Sequence, residues 1–127
     1  MQKKSKGQLE AELSAAITQF EREYLGRGPK EARTFIIQDM LLMRLKGVLT
    51  PAEEKLATEK DGAQLIKQVR TRLIESARPL LEQLVLEKTG AEVISLHTDI
   101  SSRTGERVFV FGLNKNLEED FKKSLAH

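Results

Sequence analysis

Two stretches in which apolar and polar residues alternate, separated by a long helical pattern, constrain the fold of this chain more than any other feature. The first covers Arg33 to Lys46 and the second covers Ala91 to Leu113. Alternation with period two is typical of β-strands, whose successive side chains point to opposite faces. The first run is interrupted only by Gln38-Asp39 and the second by Ser101 to Gly105, so each predicts two strands joined by a turn. The sequence therefore predicts two β-hairpins.

Helical periodicity fills the chain around the hairpins. Apolar residues recur every three or four positions between Gly7 and Leu25, and Thr50-Pro51-Ala52-Glu53 matches a capping box with proline in the first turn. A long amphipathic helix should follow and end at Gly90, with a kink at Pro79. Its expected core stripe is Leu65, Val69, Leu73, Ala77, Leu80, Leu81 and Leu84. A short helix should close the chain.

This order of elements predicts the fold class. Paired hairpins with helices between them indicate an α+β two-layer sandwich, in which a four-stranded antiparallel sheet has helices packed on one face. We expect a basic flexible tail at residues 1–6, a single α+β domain at 7–113 and a short C-terminal helix at 114–127. The uncovered face should carry Ile36, Met40 or Val108, and a homodimer would bury it.

Composition narrows the possible functions. The 127 residues include no Cys, which excludes disulfides and thiolate chemistry, and no apolar run is long enough to span a bilayer. Of 21 basic residues, the three lysines at positions 3, 4 and 6 precede the first helix and leave 18 against 19 acidic residues in the body. A nearly neutral body makes nucleic acid an unlikely partner, because such binding needs clustered cations. We expect a cytoplasmic protein without a cofactor.

The second hairpin carries the most distinctive polar chemistry. His97 and Asp99 lie two residues apart and share one face of the predicted strand, and Arg107 on the partner strand could lie opposite them. With Arg103 in the turn, this set could bind a partner or a small anion, since a guanidinium binds an oxyanion through two N–H groups. The alternative, which we favour on general grounds, is cross-strand salt bridging on a solvated sheet face.

Other chemistries fit this hairpin less well. His97 and Asp99 supply two ligands where zinc usually takes three or four, and the other histidine, His127, is the last residue. General acid/base catalysis by His97 and Asp99 stays open as an alternative, although the sequence indicates no pocket. Arg27, between Gly26 and Gly28, is a further candidate for anion binding, but helix capping explains this segment better.

A nucleic-acid-binding role is the other alternative that the residues leave open. Phe109-Val110-Phe111 after Arg107 faintly resembles an RNA-recognition strand, in which aromatic rings stack on bases. The strand lacks the glycine and the third aromatic of that motif, so packing of both rings in the core is the better interpretation.

Four segments together resemble the MpsC family of small bacterial proteins. They are Gly26-Arg27-Gly28-Pro29, Leu45 to Glu53, Ala77-Arg78-Pro79-Leu80, and Ser95 to Ser101 with Thr104 to Arg107. The family is named for a sodium-translocating, membrane-potential-generating system, so the resemblance implies membrane partners linked to inorganic-carbon uptake. It carries over no catalytic residue. Because this chain contains no spanning segment, the resemblance implies a non-enzymatic accessory or regulatory protein that acts by binding protein, expected to be a homodimer.

Overall fold

Four helices and four strands make up the chain in the computed structural model, which describes residues 4–125 and side chains up to residue 123. In order they are α1 (Lys6–Leu25), β1 (Glu31–Ile37), β2 (Met40–Lys46), α2 (Pro51–Leu56), α3 (Lys60–Thr89), β3 (Val93–Ile100), β4 (Arg107–Leu113) and α4 (Leu117–Leu125). The strands form one antiparallel sheet in the order β1-β2-β4-β3. The predicted α+β class with two hairpins is confirmed.

The helix boundaries follow from local chemistry. Ser5 and Gln8 form a capping box at the start of α1, and Gly26 ends that helix with φ 87°, a left-handed conformation that suits glycine. The predicted box at Thr50 and Glu53 is present at α2, because Thr50 accepts from the Glu53 backbone N–H and Glu53 accepts from that of Thr50. Helix α3 runs through Pro79 and ends at Gly90.

The core lies between the sheet and the helices α1 and α3. It is mainly aliphatic, as the low aromatic content requires, with Phe109 and Phe111 fully buried at its centre. Burial of both rings confirms the packing interpretation and removes the base-stacking surface on which the RNA-binding alternative depended. The helices contribute Leu9, Leu13, Ile17, Ile66, Ile74, Ala77, Leu81 and Val85 to this core.

The predicted core stripe of α3 is largely wrong. Leu65, Val69 and Leu80 are 51%, 49% and 58% exposed, whereas the buried face of the helix carries Gly62, Ile66, Arg70, Ile74, Ala77, Leu81 and Val85. Both stripes have helical spacing, so α3 has an apolar arc wider than the face that the sheet covers. Tertiary packing determines which stripe is buried. The sequence did not indicate the buried stripe, because it contains an arginine, Arg70.

The predicted outer face is wrong at Ile36, and β3 contains a bulge. Ile36 is buried at 1% exposure, whereas Phe35 and Ile37 point to the uncovered side. In β3 the register with β4 shifts between Val93 and Ser95, so a bulge places Ile94 in solvent at 67% exposure and turns Val93 towards the core. The face without helices therefore carries Phe35 and Ile37 in place of Ile36.

The outer edge of β1 is closed by side chains from two helices. The carboxylate of Glu10 on α1 accepts a hydrogen bond from the Ile36 N–H at 2.8 Å. The carboxylate of Glu118 on α4 accepts one from the Gln38 N–H at 2.8 Å and pairs with Lys6 at 2.7 Å. These two caps occupy N–H groups that an added strand would need at the end of β1.

Candidate functional site

The second hairpin does not bring its candidate residues together. Directly opposite residues of two paired strands share a face, and Asp99 lies opposite Val108, whereas Arg107 lies opposite Ile100. His97 and Asp99 therefore point to the outer face, and Arg107 points towards the helices with 1% exposure. The expectation that Arg107 faces His97 and Asp99 is wrong. The parity of β4 could have shown this, because Arg107 is two residues from Phe109 and four from Phe111.

The exposed members of the predicted set make surface contacts. The Asp99 carboxylate lies 3.5 Å from Lys67 Nζ on α3 and accepts the N–H of Ile100. His97 and Arg103 are exposed. Asp99 thus has a salt bridge, as we favoured, but with a helix residue rather than with the partner strand. Such exposed pairs contribute about 1 kcal/mol or less.

His97 also lies beside a cleft between β3 and α3. The cleft has a volume of about 320 Å³ and is lined by Thr71, Ile74, Glu75, Arg78, Leu96, His97 and Thr98. In the described part of the chain, no three histidine or acidic side chains are close enough together to hold a metal ion.

Arg27 supports the loop between β2 and α2. Its Nη1 donates to the carbonyl of Leu49 at 3.1 Å, and Arg70 Nη2 donates to the neighbouring carbonyl of Val48 at 3.1 Å. The same loop contacts the β3–β4 turn, where the Val48 N–H donates to the Gly105 carbonyl. Arg27 therefore holds the loop in place through its guanidinium.

Three charged side chains from three elements are buried beside this loop. Glu21 on α1, Arg70 on α3 and Arg107 on β4 are 0%, 4% and 1% exposed. We refer to these three residues as the buried charge cluster. Ionised groups are rarely buried without partners, since removing a charge from water costs several kcal/mol even after relaxation.

Each arginine of the buried charge cluster has some of its donors satisfied. Arg70 binds the Glu53 carboxylate through two N–H groups, with Nε–Oε2 at 2.9 Å and Nη2–Oε1 at 2.7 Å. Arg107 Nη1 donates to Thr98 Oγ1 at 2.8 Å, and its guanidinium carbon lies 5.5 Å from the centre of the Phe109 ring. These contacts fix both guanidinium groups in the core.

Five atoms of the buried charge cluster have no hydrogen-bond partner. They are both carboxylate oxygens of Glu21, Nη1 of Arg70, and Nε and Nη2 of Arg107. Buried polar groups are nearly always hydrogen-bonded, and each exception costs about 1–3 kcal/mol, or more for a charge. The concentration of such atoms at one point marks the cluster as the least explained part of the core.

Burial and mutual attraction perturb the ionisation of this region. Burial raises the pKa of Glu21 from 4.5 to about 7, against the opposing attraction of Arg107 and Arg70. Burial also lowers the pKa of Arg107, which Glu21 counteracts. Burial raises the pKa of Glu53, but hydrogen bonds from Arg70 and Thr50 outweigh it and hold the pKa below its ordinary value. Strongly shifted groups in contact with specific charges are typical of functional sites, although structural networks also produce them.

Sequence analysis missed Glu21, Glu53 and Arg70 as site residues. Two of them have a signal in their spacing: Glu21 follows Ile17 by four residues, and Arg70 lies four residues after Ile66 and four before Ile74. A charged residue inside a buried helical stripe is a candidate for a core ion pair. The signal was hidden for Arg70 because the competing apolar stripe on α3 was taken as the buried one.

The uncovered sheet surface, which we call the outer face, is a second candidate site. Its apolar side chains are half-buried or exposed, and they form cross-strand rows that include Phe35, Leu42, Val110 and His97 in register. The apolar residues that β1, β2 and β4 contribute to this face are Phe35, Ile37, Met40, Leu42, Val108 and Val110. His97 and Asp99 form one border of this face.

Comparison with known families identifies the chain's relatives. The model of the MpsC family, described as the Na⁺-translocating membrane potential-generating system, matches residues 5–115. The chain belongs to the MpsC family. It is 50% identical over 123 residues to the uncharacterized protein YbcI of Bacillus subtilis strain 168, covering 97% of this chain and 99% of that protein. It is 26% identical over 109 residues to the uncharacterized protein YrhF of the same organism, covering 85% and 89% of the two chains. No solved structure matches the chain.

The MpsC match extends over all four described strands and over both candidate sites. Residues 5–115 include the buried charge cluster and the whole outer face. Across the residues that the structure describes, none of this MpsC protein's helices has the length and apolar character needed to cross a bilayer.

Proposed function

We propose that this MpsC protein is a non-enzymatic accessory protein that acts by binding protein, and that it works as a homodimer joined through the outer face. The observation that carries the proposal is the outer face itself, where six apolar side chains lie on a sheet that no described helix covers. Apolar patches of this extent on a small domain are typical of interaction sites.

The size of the outer face suits a small dimer interface. Strands lie about 4.8 Å apart and rise about 3.3 Å per residue, so four strands of seven or eight residues span roughly 19 Å by 23–26 Å. The smallest stable interfaces bury about 600 Å² per partner. Arg33 and Arg44, which lie opposite each other on this face, add the area of two long side chains to that outline.

The charges around the outer face favour a second copy as the occupant. Basic and acidic side chains are balanced there: Arg33 pairs with Glu31 at 2.9 Å and Arg44 pairs with Glu106 at 2.6 Å. A border of one sign would repel an identical face, whereas alternating signs can pair across a two-fold axis. Two sheets packed face to face would place the apolar rows in the centre of the interface.

The family description supports the wider role. A system that translocates Na⁺ needs membrane-spanning components, and this chain supplies none in its described residues. We infer a cytoplasmic role beside such a system. The exposed residues His97, Asp99 and Arg103, at the border of the dimer interface, would contact its membrane-spanning component.

Sedimentation velocity of the wild-type protein and two charged variants tests the dimer. Leu42→Glu places a carboxylate at the centre of the outer face, where burying an unpaired charge costs several kcal/mol and should dissociate the dimer. Leu65→Glu is the matched control, because Leu65 is equally apolar and lies on the exposed side of α3. We expect the wild type and Leu65→Glu to sediment as dimers and Leu42→Glu as a monomer with unchanged circular dichroism. A monomeric wild type, or a Leu42→Glu dimer, would overturn the proposal.

A further inference from the structure

The free edge of Arg107 has the geometry of an oxyanion site. Nε and Nη2 lie on one side of the guanidinium and present parallel N–H groups, and neither has a partner, while Nη1 is held by Thr98. Such a fork matches a carboxylate or another planar oxyanion through two hydrogen bonds. Arg70 Nη1, also free and buried, adds a third donor from α3.

Glu21 does not fill this fork. Its two oxygens lack any hydrogen-bond partner although both arginines attract it, so the carboxylate lies near the guanidinium groups without reaching them. Three unused donor atoms and two unused acceptor atoms, from α1, α3 and β4, thus belong to charged groups that are close enough to shift one another's pKa values. A molecule with several acceptors, held between them, would satisfy the donors that the protein leaves free.

The charge balance determines what else must bind. Glu53 neutralises Arg70 through its two hydrogen bonds, which leaves Arg107 and Glu21 as the remaining charges. With Glu21 ionised, these two cancel, and an added anion would leave a net negative charge in the core. With Glu21 protonated, an anion restores neutrality, and the Glu21 hydroxyl becomes a donor to it.

We propose that the buried charge cluster binds one small planar oxyanion together with one proton, the anion at Arg107 and Arg70 and the proton on Glu21. Each of the three side chains is at most 4% exposed, so the ligand is an anion of a few atoms, of the size of formate or nitrate. This site lies in the core, away from the outer face, and is independent of the proposed dimer.

The surrounding charges set the pH dependence of binding. Arg107 on β4 and Arg70 on α3 face Glu21, with Glu53 on α2 pairing Arg70 and Asp99 on β3 attracting Arg107. Burial raises the pKa of Glu21 to about 7, so Glu21 is mostly protonated at pH 6 and mostly ionised at pH 8. Because the bound state needs the proton, affinity should fall roughly tenfold from pH 6 to pH 8.

Isothermal titration calorimetry with sodium nitrate and sodium formate tests the proposal directly. Titrations at pH 6 and pH 8, each in two buffers of different ionisation enthalpy and at constant ionic strength with sodium chloride, give affinity and proton uptake. We expect saturable binding of both anions at pH 6 and weaker binding at pH 8. Proton uptake should be near one per anion only at pH 8, because Glu21 already carries its proton at pH 6. Absence of saturable binding at pH 6 would overturn the proposal.

Two variants assign the roles of the residues. Glu21→Gln keeps a neutral donor, so it should bind anions at both pH values with equal affinity and without proton uptake. Arg107→Lys keeps the charge but loses the fork, which should weaken binding by roughly tenfold or more. Arg44→Lys, on the outer face, is the matched control and should match wild type. Unchanged proton uptake in Glu21→Gln, or unchanged affinity in a folded Arg107→Lys, would refute the assignment. If Arg107→Lys does not fold, the wild-type and Glu21→Gln titrations decide the question.

Discussion

Replacing Glu21 by glutamine should remove a pH dependence of stability that the wild-type fold carries. The folded pKa of Glu21 is raised from 4.5 to about 7, so the folded state holds a proton that the unfolded state releases. A carboxyl with a raised pKa contributes stability that is fully present below its unfolded value and is lost as the pH rises through about 7. Glutamine has the same size and carries no charge at any pH, so the free-energy cost of burying it does not change with pH.

The size of the effect follows from the shift. A shift from 4.5 to about 7 corresponds to about 2–3 kcal/mol of stability lost between pH 5 and pH 8. The difference in unfolding free energy between Glu21→Gln and wild type should therefore grow by about that amount over this range. With a urea dependence of about 2 kcal/mol/M, the difference between the two urea midpoints should change by roughly 1–1.5 M. Urea unfolding followed by circular dichroism in anion-free buffers at several pH values measures it.

A control on the same helix isolates burial as the cause. Glu23 is two residues away but exposed, so Glu23→Gln should follow the wild-type profile at every pH. Other titrating groups are common to all three proteins and cancel in the differences. Parallel pH profiles for Glu21→Gln and wild type would show that Glu21 is ionised in the folded protein at pH 5, and the account of the cluster would then be wrong.

Two further substitutions test the scaffold around the sites by urea unfolding. Thr50→Ala removes the cap of α2 and one of the hydrogen bonds that position Glu53, so it should lower the unfolding free energy by about 1 kcal/mol. The conservative Thr50→Ser should keep most of the wild-type unfolding free energy. Equal losses in both variants would contradict the capping role. Gln38→Gly relieves a non-glycine residue at φ 55° in the β1–β2 turn and should raise stability by about 0.5–1 kcal/mol, whereas Asp39→Gly, at a neighbouring residue without positive φ, should not.

The alternation of the strands was enough to predict the sheet but not its edges and irregularities. Period two in each run and a turn between its halves determine two hairpins, because a strand buried on one face has few other arrangements. The bulge at Ile94 has no signature in the sequence, since it depends on how β3 pairs with β4 after the α3 helix ends. The bulge shifts the register by one residue, so Val93 packs against the core.

Helix α3 shows why a correct element can have the wrong face predicted. Its residues offer two adjacent apolar stripes, and the one with Leu65 and Val69 is the more hydrophobic. The fold buries the other stripe, in which Arg70 binds Glu53 and the Val48 carbonyl. A partner for Arg70 exists only once α2 and the following helix are packed together, so hydropathy along one helix could not reveal it.

Stability alone does not account for the charges in this core. Replacing a buried ion pair by apolar residues of similar volume is often neutral or stabilising, so apolar residues at both Glu21 and Arg107 would serve the fold as well as the two charges do. Arg107 occupies a strand position whose neighbours on the same face are phenylalanines. The pairing with Glu53 explains Arg70, but nothing in the protein uses the free fork of Arg107 or the carboxylate of Glu21. A ligand that needs both a cationic fork and a proton explains the two residues together, whereas packing explains neither.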